Sequence, residues 1–417
     1  MKSVAMERER NIVTRFKNCS LLRNHEIIRE DLWIQDGKII NPELLFFDAK
    51  RRPDLEVECR GAILSPGFID LQINGGFGVD FSHNEVDVEE GVKRVATGLL
   101  QFGVTAFCPT IISSTPEKYH KILPRLKRRI GSKENGAEVL GVHLEGPFIS
   151  AAKRGAHFEE FIRPLDKGWQ SVMDVYGCLE NVSIVTLAPE LHQASGVISR
   201  LITMGITVSL GHSSATLVEG EVGVQNGASF ITHLFNAMPP FHHRDPGLVG
   251  LLTSIQIPSD HILFYGVIAD GIHTHPAALR IAYRTHYPGL VLVTDAISAM
   301  GLGDGTHILG EQRIQIDGRR ATIKGTTTLA GSVATMDQCI QHLRKAARCS
   351  TVEALEAATL HPAQVLGDDK RKGSLDYGAD ADFVLLDEDL NVQGTFIRGI
   401  QVYANPMLPP FEPLPCD

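Results

Sequence analysis

Short apolar runs alternate with longer amphipathic segments through most of this sequence. The segments between the runs, such as Glu89–Gln101 and Pro116–Ile130, have the 3.6-residue periodicity of helices. Alternating strands and helices imply a parallel sheet, and eight repeats predict a closed (β/α)8 barrel of the α/β class. The eight runs are AILSPGFIDLQIN (62–74), GVTAFCPT (103–110), EVLGVHLE (138–145), VSIVTLAPE (182–190), ITVSLGHS (206–213), ASFITHLF (228–235), LFYGVIADG (263–271) and LVLVTDA (290–296).

The two ends of the chain have a different pattern. From Arg15 to Cys59, short strand-like runs are separated by turns, with a hairpin signal at Asp36-Gly37. Residues 372–403 are strand-like again, so we expect both ends to form one β-sandwich with the barrel inserted between its halves. The expected division is a loose arm (1–14), a small sandwich (15–61 plus 366–404), a catalytic barrel (62–365) and a loose tail (405–417).

A doubly wound sheet would share the alternation and is the structural alternative. It would not usually leave polar side chains at the ends of so many strands. The runs here end in Glu145, His212, His233 and Asp295. In a barrel all these ends meet on one face, where barrel enzymes keep their active sites. The polar endings therefore favour the barrel.

Two imidazoles and one carboxylate among these endings indicate a metal site. Glu145, His212 and His233 end the third, fifth and sixth runs. This donor set is common for a catalytic zinc with a fourth position for water. Each histidine alone would more often be a core or surface residue. Two histidines in the same relation to a strand-end glutamate favour the metal interpretation.

The remaining strand ends refine this hypothesis. Asp295 lies on the same rim and can take a proton from the attacking water and return it to a leaving amine; a helix N-cap is the alternative. The first run has Gln72-Ile73-Asn74 where many two-metal barrel hydrolases place His-x-His. Because neutral amides are poor ligands beside imidazole, we expect one tightly held ion rather than two.

Charge and composition limit the partners of the chain. Its 417 residues are 43% hydrophobic and 21% charged, as in ordinary globular proteins. The net charge of −9 predicts no nucleic acid or anionic membrane partner. No apolar run approaches the roughly 20 residues of a membrane helix. The charged N-terminus lacks a secretory h-region, although its basic residues leave a mitochondrial presequence as an alternative. Seven scattered cysteines suggest reduced thiols and a cytoplasmic location.

An anionic ligand would need a local basic patch in such a protein. The segment FNAMPPFHHRDPG after the sixth run contains Asn236, His242, His243 and Arg244. Arginine forks bind phosphate bidentately, so this segment suggests a phosphorylated small molecule. A solvated loop with ordinary surface charges is the alternative.

Six ordered segments resemble the N-acetylglucosamine-6-phosphate deacetylase family of the amidohydrolase superfamily, in its animal form. They are HLEGPF, LGHS, THLFNAMPPFHHRDPG, DGIHTHP, VTDAISAMG and TLAGS, within a resemblance that runs from about Arg15 to Tyr403. The resemblance implies a metal-dependent hydrolase in amino-sugar recycling. Its reaction would remove the acetyl group of N-acetyl-D-glucosamine 6-phosphate and release acetate and glucosamine 6-phosphate.

The resemblance also implies roles for individual residues. Glu145, His212 and His233 would hold one divalent ion, with Zn²⁺ expected, and Asp295 would be the catalytic acid and base. A homodimer is implied, in which Arg244 reaches the phosphate in the neighbouring site. The matching substrate positions are Ala156, His157 (near the acetamide carbonyl), Asn236, Ala237, Arg244, His273, Leu329, Ala330 and Gly331.

Two other functions remain open on the sequence. A dihydroorotase-like cyclic amidase would share the frame, but such enzymes often use a carbamylated lysine, and no lysine ends a run here. A non-catalytic scaffold would have kept the barrel and lost its chemistry. Eroded ligands would mark such a scaffold, whereas all four strand-end residues are present.

Overall fold

The computed structural model describes residues 12–43, 52–83, 87–257, 262–309, 312–326, 329–409 and 411–416. Most of the expected N-terminal arm, residues 1–11, lies outside these ranges. Among the described residues, no helix has both the length and the apolar character needed to cross a bilayer.

A parallel barrel occupies the centre of the chain. Each strand pairs in parallel with the next. A bridge between Ile73 and Ala296 joins the last strand to the first, so the predicted (β/α)8 architecture is confirmed. The strands are β1 (Phe68–Ile73), β2 (Val104–Ile112), β3 (Val142–Glu145), β4 (Val182–Leu187), β5 (Thr207–Leu210), β6 (Phe230–Ile231), β7 (Phe264–Ile268) and β8 (Leu290–Val293).

Helices pack around this barrel. In the first of them, Val92, Val95 and Leu99 form the buried face, and the Asp87 carboxylate caps the N-terminus. The helix predicted at Pro116–Ile130 ends at Ile122 and continues as a 3-10 turn, because Pro124 cannot donate a helical hydrogen bond. The helices are α1 (Val88–Leu99), α2 (Pro116–Ile122), α3 (Trp169–Tyr176), α4 (Ala194–Thr203), α5 (Leu217–Gln225), α6 (Pro276–His286), α7 (Met336–Ala347), α8 (Thr351–Glu356) and α9 (Leu360–Val365).

Short 3-10 turns and small strands complete the barrel region. The 3-10 turns are Leu100–Phe102, Leu123–Arg125, Ala151–Lys153, Glu159–Phe161, Gly247–Thr253 and Tyr287–Gly289. Gly75–Gly76 pairs with Val79–Asp80, and Glu138–Val139 pairs with the start of β2 ahead of β3.

Two sheets from the chain ends form a sandwich. Phe16, Phe383 and Phe396 pack in its core, with ring centroids 4.7 to 5.3 Å apart. One sheet contains Val13–Lys17, Leu32–Gln35, Lys38–Ile39, Leu55–Glu58 and Leu414–Pro415. The other contains Ser20–Arg23, Glu26–Ile28, Ile63–Pro66, Phe383–Leu386, Val392–Ile397 and Ile400–Ala404. The first and last of these strands thus include residues 13–14 and 414–415, which the sequence pattern placed in loose ends.

A four-stranded antiparallel sheet follows β8 and returns to the barrel mouth. Its strands are Gly305–Leu309, Gln312–Asp317, Arg320–Ile323 and Leu329–Ser332. The Ile297 N–H donates to the Ser332 carbonyl at 2.9 Å, which holds the last strand beside the end of β8. Gly331 has a φ of +136°, and a Cβ there would lie 2.5 Å from Ile297 Cγ2, so only glycine fits this approach.

Candidate metal centre and active site

Three of the four polar strand ends share one backbone geometry. Glu145 is the last residue of β3. His212, His233 and Asp295 each lie two residues beyond a strand, with positive φ angles of 47°, 25° and 47°. Left-handed backbone is unfavourable for residues with a side chain, and such residues cluster at functional sites. These turns bring the side chains together at one rim of the barrel.

Three ligand atoms from this rim converge. His212 Nε2 and His233 Nε2 each lie 3.1 Å from Glu145 Oε1, and the two nitrogens are 3.0 Å apart. All three side chains are at most 5% exposed. Ligands at about 2.0–2.1 Å in a tetrahedral zinc site stand about 3.3–3.4 Å from one another. The spacing therefore suits one ion with only small movements.

Protonation supports the same conclusion. The Lys153 carbonyl can only accept, so His212 Nδ1 donates to it at 3.0 Å and a neutral ring keeps its lone pair on Nε2. Burial opposes ionisation of Glu145, but the two imidazoles more than offset it and hold the pKa of that carboxyl well below its usual value. The His212 lone pair, His233 Nε2 and a Glu145 carboxylate oxygen thus face one point, and a divalent cation suits them. The residues present fit the metal that the sequence predicts.

His157 belongs to this cluster but is a hydrogen-bond donor. One of its ring nitrogens lies within 4.8 Å of the ligand atoms of Glu145 and His212. Its Nδ1 accepts the Ser113 N–H at 3.3 Å, so the neutral ring carries its proton on Nε2. Burial lowers the pKa of His157 to about 3, which keeps the ring neutral. Such a ring can donate to a carbonyl oxygen.

Asp295 is held beside the ligands by an amide. Asn74 Nδ2 donates to Asp295 Oδ1 at 2.7 Å. Burial, and then the negative charge of Glu145, raise the pKa of Asp295 to about 6. A carboxylate in this range exchanges protons readily near neutral pH, which suits a general base that later acts as an acid.

Gln72 makes an equivalent hydrogen bond from its side-chain amide to the metal ligand Glu145. Its Nε2 donates to Glu145 Oε1 at 2.7 Å. Sequence reasoning treated Gln72 and Asn74 only as poor ligands and missed their role as donors to the two rim carboxylates. The available signal was their i, i+2 spacing, which places both side chains on the same side of extended backbone at the end of β1.

The predicted substrate positions lie in several segments of the chain and differ in exposure. Ala156 is exposed beside buried His157, and the half-buried Asn236 and Ala237 follow β6. The half-buried Leu329, Ala330 and Gly331 lie in the strand that docks beside β8. Arg244 is exposed, and within the described part of the chain its guanidinium has no ion-pair partner. The structure therefore brings His157 into the ligand cluster and leaves Arg244 at the surface.

His273 is positioned by a carboxylate that the sequence analysis did not single out. Its Nδ1 lies 2.6 Å from Asp270 Oδ2, while Asp270 Oδ1 accepts the backbone N–H groups of Ile272 and His273, both at 2.8 Å. Burial favours the neutral ring, but Asp270 outweighs it and raises the pKa of His273. By contrast, His143 is a satisfied core histidine, bonded to the Leu71 carbonyl and the Thr186 hydroxyl.

Comparison with known proteins agrees with this geometry. Residues 63–402 match the amidohydrolase family. The N-acetylglucosamine-6-phosphate deacetylase of Mus musculus is 59% identical over 392 residues, covering 94% of this chain and 96% of the mouse protein. That of Danio rerio is 57% identical, covering 94% and 97%. The crystal structure of the Thermotoga maritima enzyme of the same name has a TM-score of 0.78 at 31% identity, covering 94% and 100%.

Family match, coverage and fold agree over nearly the whole chain. The chain therefore belongs to the amidohydrolase family and, within it, to the N-acetylglucosamine-6-phosphate deacetylases.

Proposed function

We propose that this chain is a metal-dependent hydrolase that converts N-acetyl-D-glucosamine 6-phosphate and water to glucosamine 6-phosphate and acetate. The observation that carries the proposal is the triangle of Glu145, His212 and His233 ligand atoms at the barrel mouth, 3.0–3.1 Å on a side. Relatives that are 57% and 59% identical carry the corresponding name.

The residues of the rim have different roles in amide hydrolysis. Asp295 takes a proton from the attacking water and later gives it to the departing nitrogen. The His157 Nε2 proton binds the acetamide oxygen as negative charge develops there. Asn236, Ala237, His273 and the Leu329–Gly331 strand hold the sugar. These groups require no covalent bond between enzyme and substrate.

Glu145, His212 and His233 would hold one divalent ion, and Zn²⁺ suits their two imidazoles and one carboxylate. When bound, such an ion acts as a Lewis acid that polarises a carbonyl and makes water more acidic. Gln72 keeps the Glu145 carboxylate in place for this purpose through its 2.7 Å hydrogen bond.

The surface around Arg244 supports a homodimer in which this guanidinium binds the phosphate in the neighbouring site. The Leu217 N–H donates to Asp245, and the Ser254 hydroxyl to Glu221, so α5 and the segments 241–245 and 247–257 form one continuous surface. Large apolar side chains are exposed on this surface, as at a protein interface. They are Val218 (66%), Val222 (40%), Phe241 (62%) and Ile255 (94%).

The remaining proposals concern the whole chain. All seven cysteines are free thiols, which supports a cytoplasmic location. The shared aromatic core of the sandwich supports treating 15–61 plus 366–404 as one small domain attached to the 62–365 catalytic barrel.

Acetate release from N-acetylglucosamine 6-phosphate, with and without a chelator, tests the proposed reaction. We expect turnover that the chelator abolishes and added divalent ion restores. A cyclic amidase would act on a cyclic amide instead, and a scaffold would act on neither. Absence of acetate release from the metal-loaded chain would refute the proposal.

Arg244→Ala tests the phosphate contact. A charge-assisted hydrogen bond contributes roughly 1.5–3 kcal/mol, so the KM for the 6-phosphate should rise by about one to two decades. The weak activity on unphosphorylated N-acetylglucosamine should stay unchanged. An equal loss on both substrates would exclude a phosphate role for Arg244.

A mixed dimer tests which subunit Arg244 serves. Pairing an Arg244→Ala chain with an Asp295→Asn chain creates one intact site and one site that lacks both groups, if Arg244 crosses the interface. Activity should then recover partly above that of either parent. No recovery in confirmed heterodimers would place Arg244 in the site of its own subunit.

A further inference from the structure

The side-chain amide of Asn74 uses its donor nitrogen but leaves its acceptor oxygen unpaired. Its Nδ2 donates to Asp295 Oδ1 at 2.7 Å, while its Oδ1 is buried without a hydrogen-bond partner. A buried amide oxygen is costly to leave unpaired, and such groups call for an explanation. The location of this oxygen, next to the residue that exchanges protons, suggests that a ligand supplies the missing donor.

The seam between β1 and β8 fixes this amide. The Asn74 N–H donates to the Ala296 carbonyl at 2.8 Å, and the Asp295 N–H donates to the Gln72 carbonyl at 2.8 Å. Backbone bonds thus hold both residues, and the side-chain bond sets the rotation of the amide. Because nitrogen and oxygen belong to one rigid group, Oδ1 lies one amide width from the nitrogen that bonds to the Asp295 carboxylate.

The proposed reaction supplies a donor at this place. The water oxygen bonds to the carbonyl carbon, and its proton moves to Asp295. Asp295 then returns the proton to the lone pair of the nitrogen, which becomes positively charged, and the C–N bond breaks with its electron pair staying on nitrogen, so that the neutral amine leaves. The nitrogen has one N–H in the substrate and gains a second as it leaves. The leaving nitrogen and its N–H bonds must therefore lie next to Asp295, the group that delivers this proton.

We propose that Asn74 is a further catalytic residue: its Oδ1 accepts a hydrogen bond from the scissile amide nitrogen and from the amine as it leaves, while its Nδ2 holds Asp295. This inference rests on the proposed deacetylation. The contact strengthens as the nitrogen gains its proton, so it stabilises the transition state for C–N cleavage more than the bound substrate.

Gln72 provides the matched comparison. Its Oε1 is also buried without a partner, but its Nε2 donates to the metal ligand Glu145. Gln72→Ala should therefore weaken metal retention, whereas Asn74→Ala should leave the metal content unchanged. The two variants separate support of the metal site from support of the leaving nitrogen.

The test uses the metal-loaded full chain and the nitrogen-15 isotope effect on kcat/KM, read together with kcat and KM. For Asn74→Ala we expect kcat to fall about ten- to hundredfold, since the lost bond is to a group that becomes charged. KM should change by no more than about twofold. The isotope effect should rise, because C–N cleavage becomes more rate-limiting.

The outcomes separate the alternatives. A lower kcat with an unchanged isotope effect would place the role of Asn74 in the addition of water rather than at the leaving nitrogen, and unchanged kinetics would remove any role; both overturn the inference. Asn74→Ser, a second variant with a short polar side chain, provides the same measurement if Asn74→Ala does not fold. Wild-type acetate release is measured first, so failure of the proposed function is seen separately from failure of this inference.

Discussion

The segment Glu138–Glu145 connects two buried polar clusters that differ in the source of their positive charge. Glu138, at its start, belongs to a cluster between the barrel and the sandwich. Glu145, at its end, belongs to the rim cluster with His212 and His233. Glu138–Val139 pairs with Ala106–Phe107, and β3 pairs farther along β2 at Thr110–Ile112, so the clusters lie at opposite ends of the barrel wall.

In the Glu138 cluster, the protein supplies its own cation. The ligand oxygens of Glu138, Asp380 and Asp382 lie within 4.8 Å of one another, close enough for a metal site. Lys372 Nζ occupies their centre, 2.9 Å from Glu138, 3.0 Å from Asp380 and hydrogen-bonded to Asp382. Arg371 adds further pairs to Glu138 and Asp380.

In the rim cluster, no described lysine or arginine takes this place. Among the described residues that contact Glu145, the partners are two imidazoles and the Gln72 amide, and neither Lys nor Arg is paired with it. When the chain itself provides a positive side chain, a buried carboxylate forms a structural ion pair. When the chain provides none, the carboxylate can serve as a ligand for a metal ion. The comparison teaches that the source of the positive charge, rather than the carboxylates themselves, distinguishes a structural cluster from a metal-binding cluster.

Removal of a rim ligand should have the largest effect. We expect His212→Ala or His233→Ala to lose the ion and to reduce activity to that of the chelator-treated chain, while the barrel stays folded because its core lies elsewhere. Metal analysis should give about one ion per wild-type chain. Glu138→Gln is the matched control and should retain the ion. Two tightly held ions in the wild type would contradict the single-site interpretation.

Replacement of the proton acceptor should come next. Asp295→Asn keeps the shape and should lower kcat by at least about 10²–10⁴-fold with the ion retained. The same change in the other cluster, Asp380→Asn, should leave kcat of the folded protein unchanged. Near-normal turnover of metal-loaded Asp295→Asn would assign the base to another group.

Removal of the internal cation should affect stability instead of turnover. Lys372→Met leaves Glu138, Asp380 and Asp382 facing one another, and breaking a buried pair costs about 3–5 kcal/mol of unfolding free energy. Urea denaturation measures this loss. Arg371→Met is the control and should cost less, because its side chain is 36% exposed. A change in kcat for folded Lys372→Met would contradict the assignment of a purely structural role to the Glu138 cluster.

The smallest expected effect concerns pH. Burial raises the pKa of Asp380, but Lys372 and Lys38 more than offset this and bring it to about 2. Because this pKa is below the unfolded value of about 3.9, the stabilisation is present above that value and is lost as pH falls towards 2. Asp382, with a raised pKa, acts in the opposite direction.

Metal-free wild type and metal-free Asp380→Asn provide the comparison. Their unfolding free energies should converge as pH falls from about 4 to about 2. Parallel curves over this interval would show that Asp380 is not held ionised by the lysines.

Apolar runs of strand length separated by helical periodicity determined the barrel, since buried parallel strands and their covering helices each leave a local pattern in sequence. The same local order placed Glu145, His212, His233 and Asp295 at strand ends. Their convergence could be expected because parallel strands in a barrel end on one face.

Only the tertiary structure decided which groups pair with the buried polar side chains of the two clusters. Lys372 reaches Glu138 across more than 200 residues of sequence, Asn74 reaches Asp295 across the β1–β8 seam, and the Lys153 carbonyl sets the tautomer of His212. Such contacts join segments that are distant in sequence, and the hydrophobic pattern of each segment gives no sign of the contact. Local periodicity records which face of a strand is buried, whereas the partner of a buried charge depends on how the elements close around it.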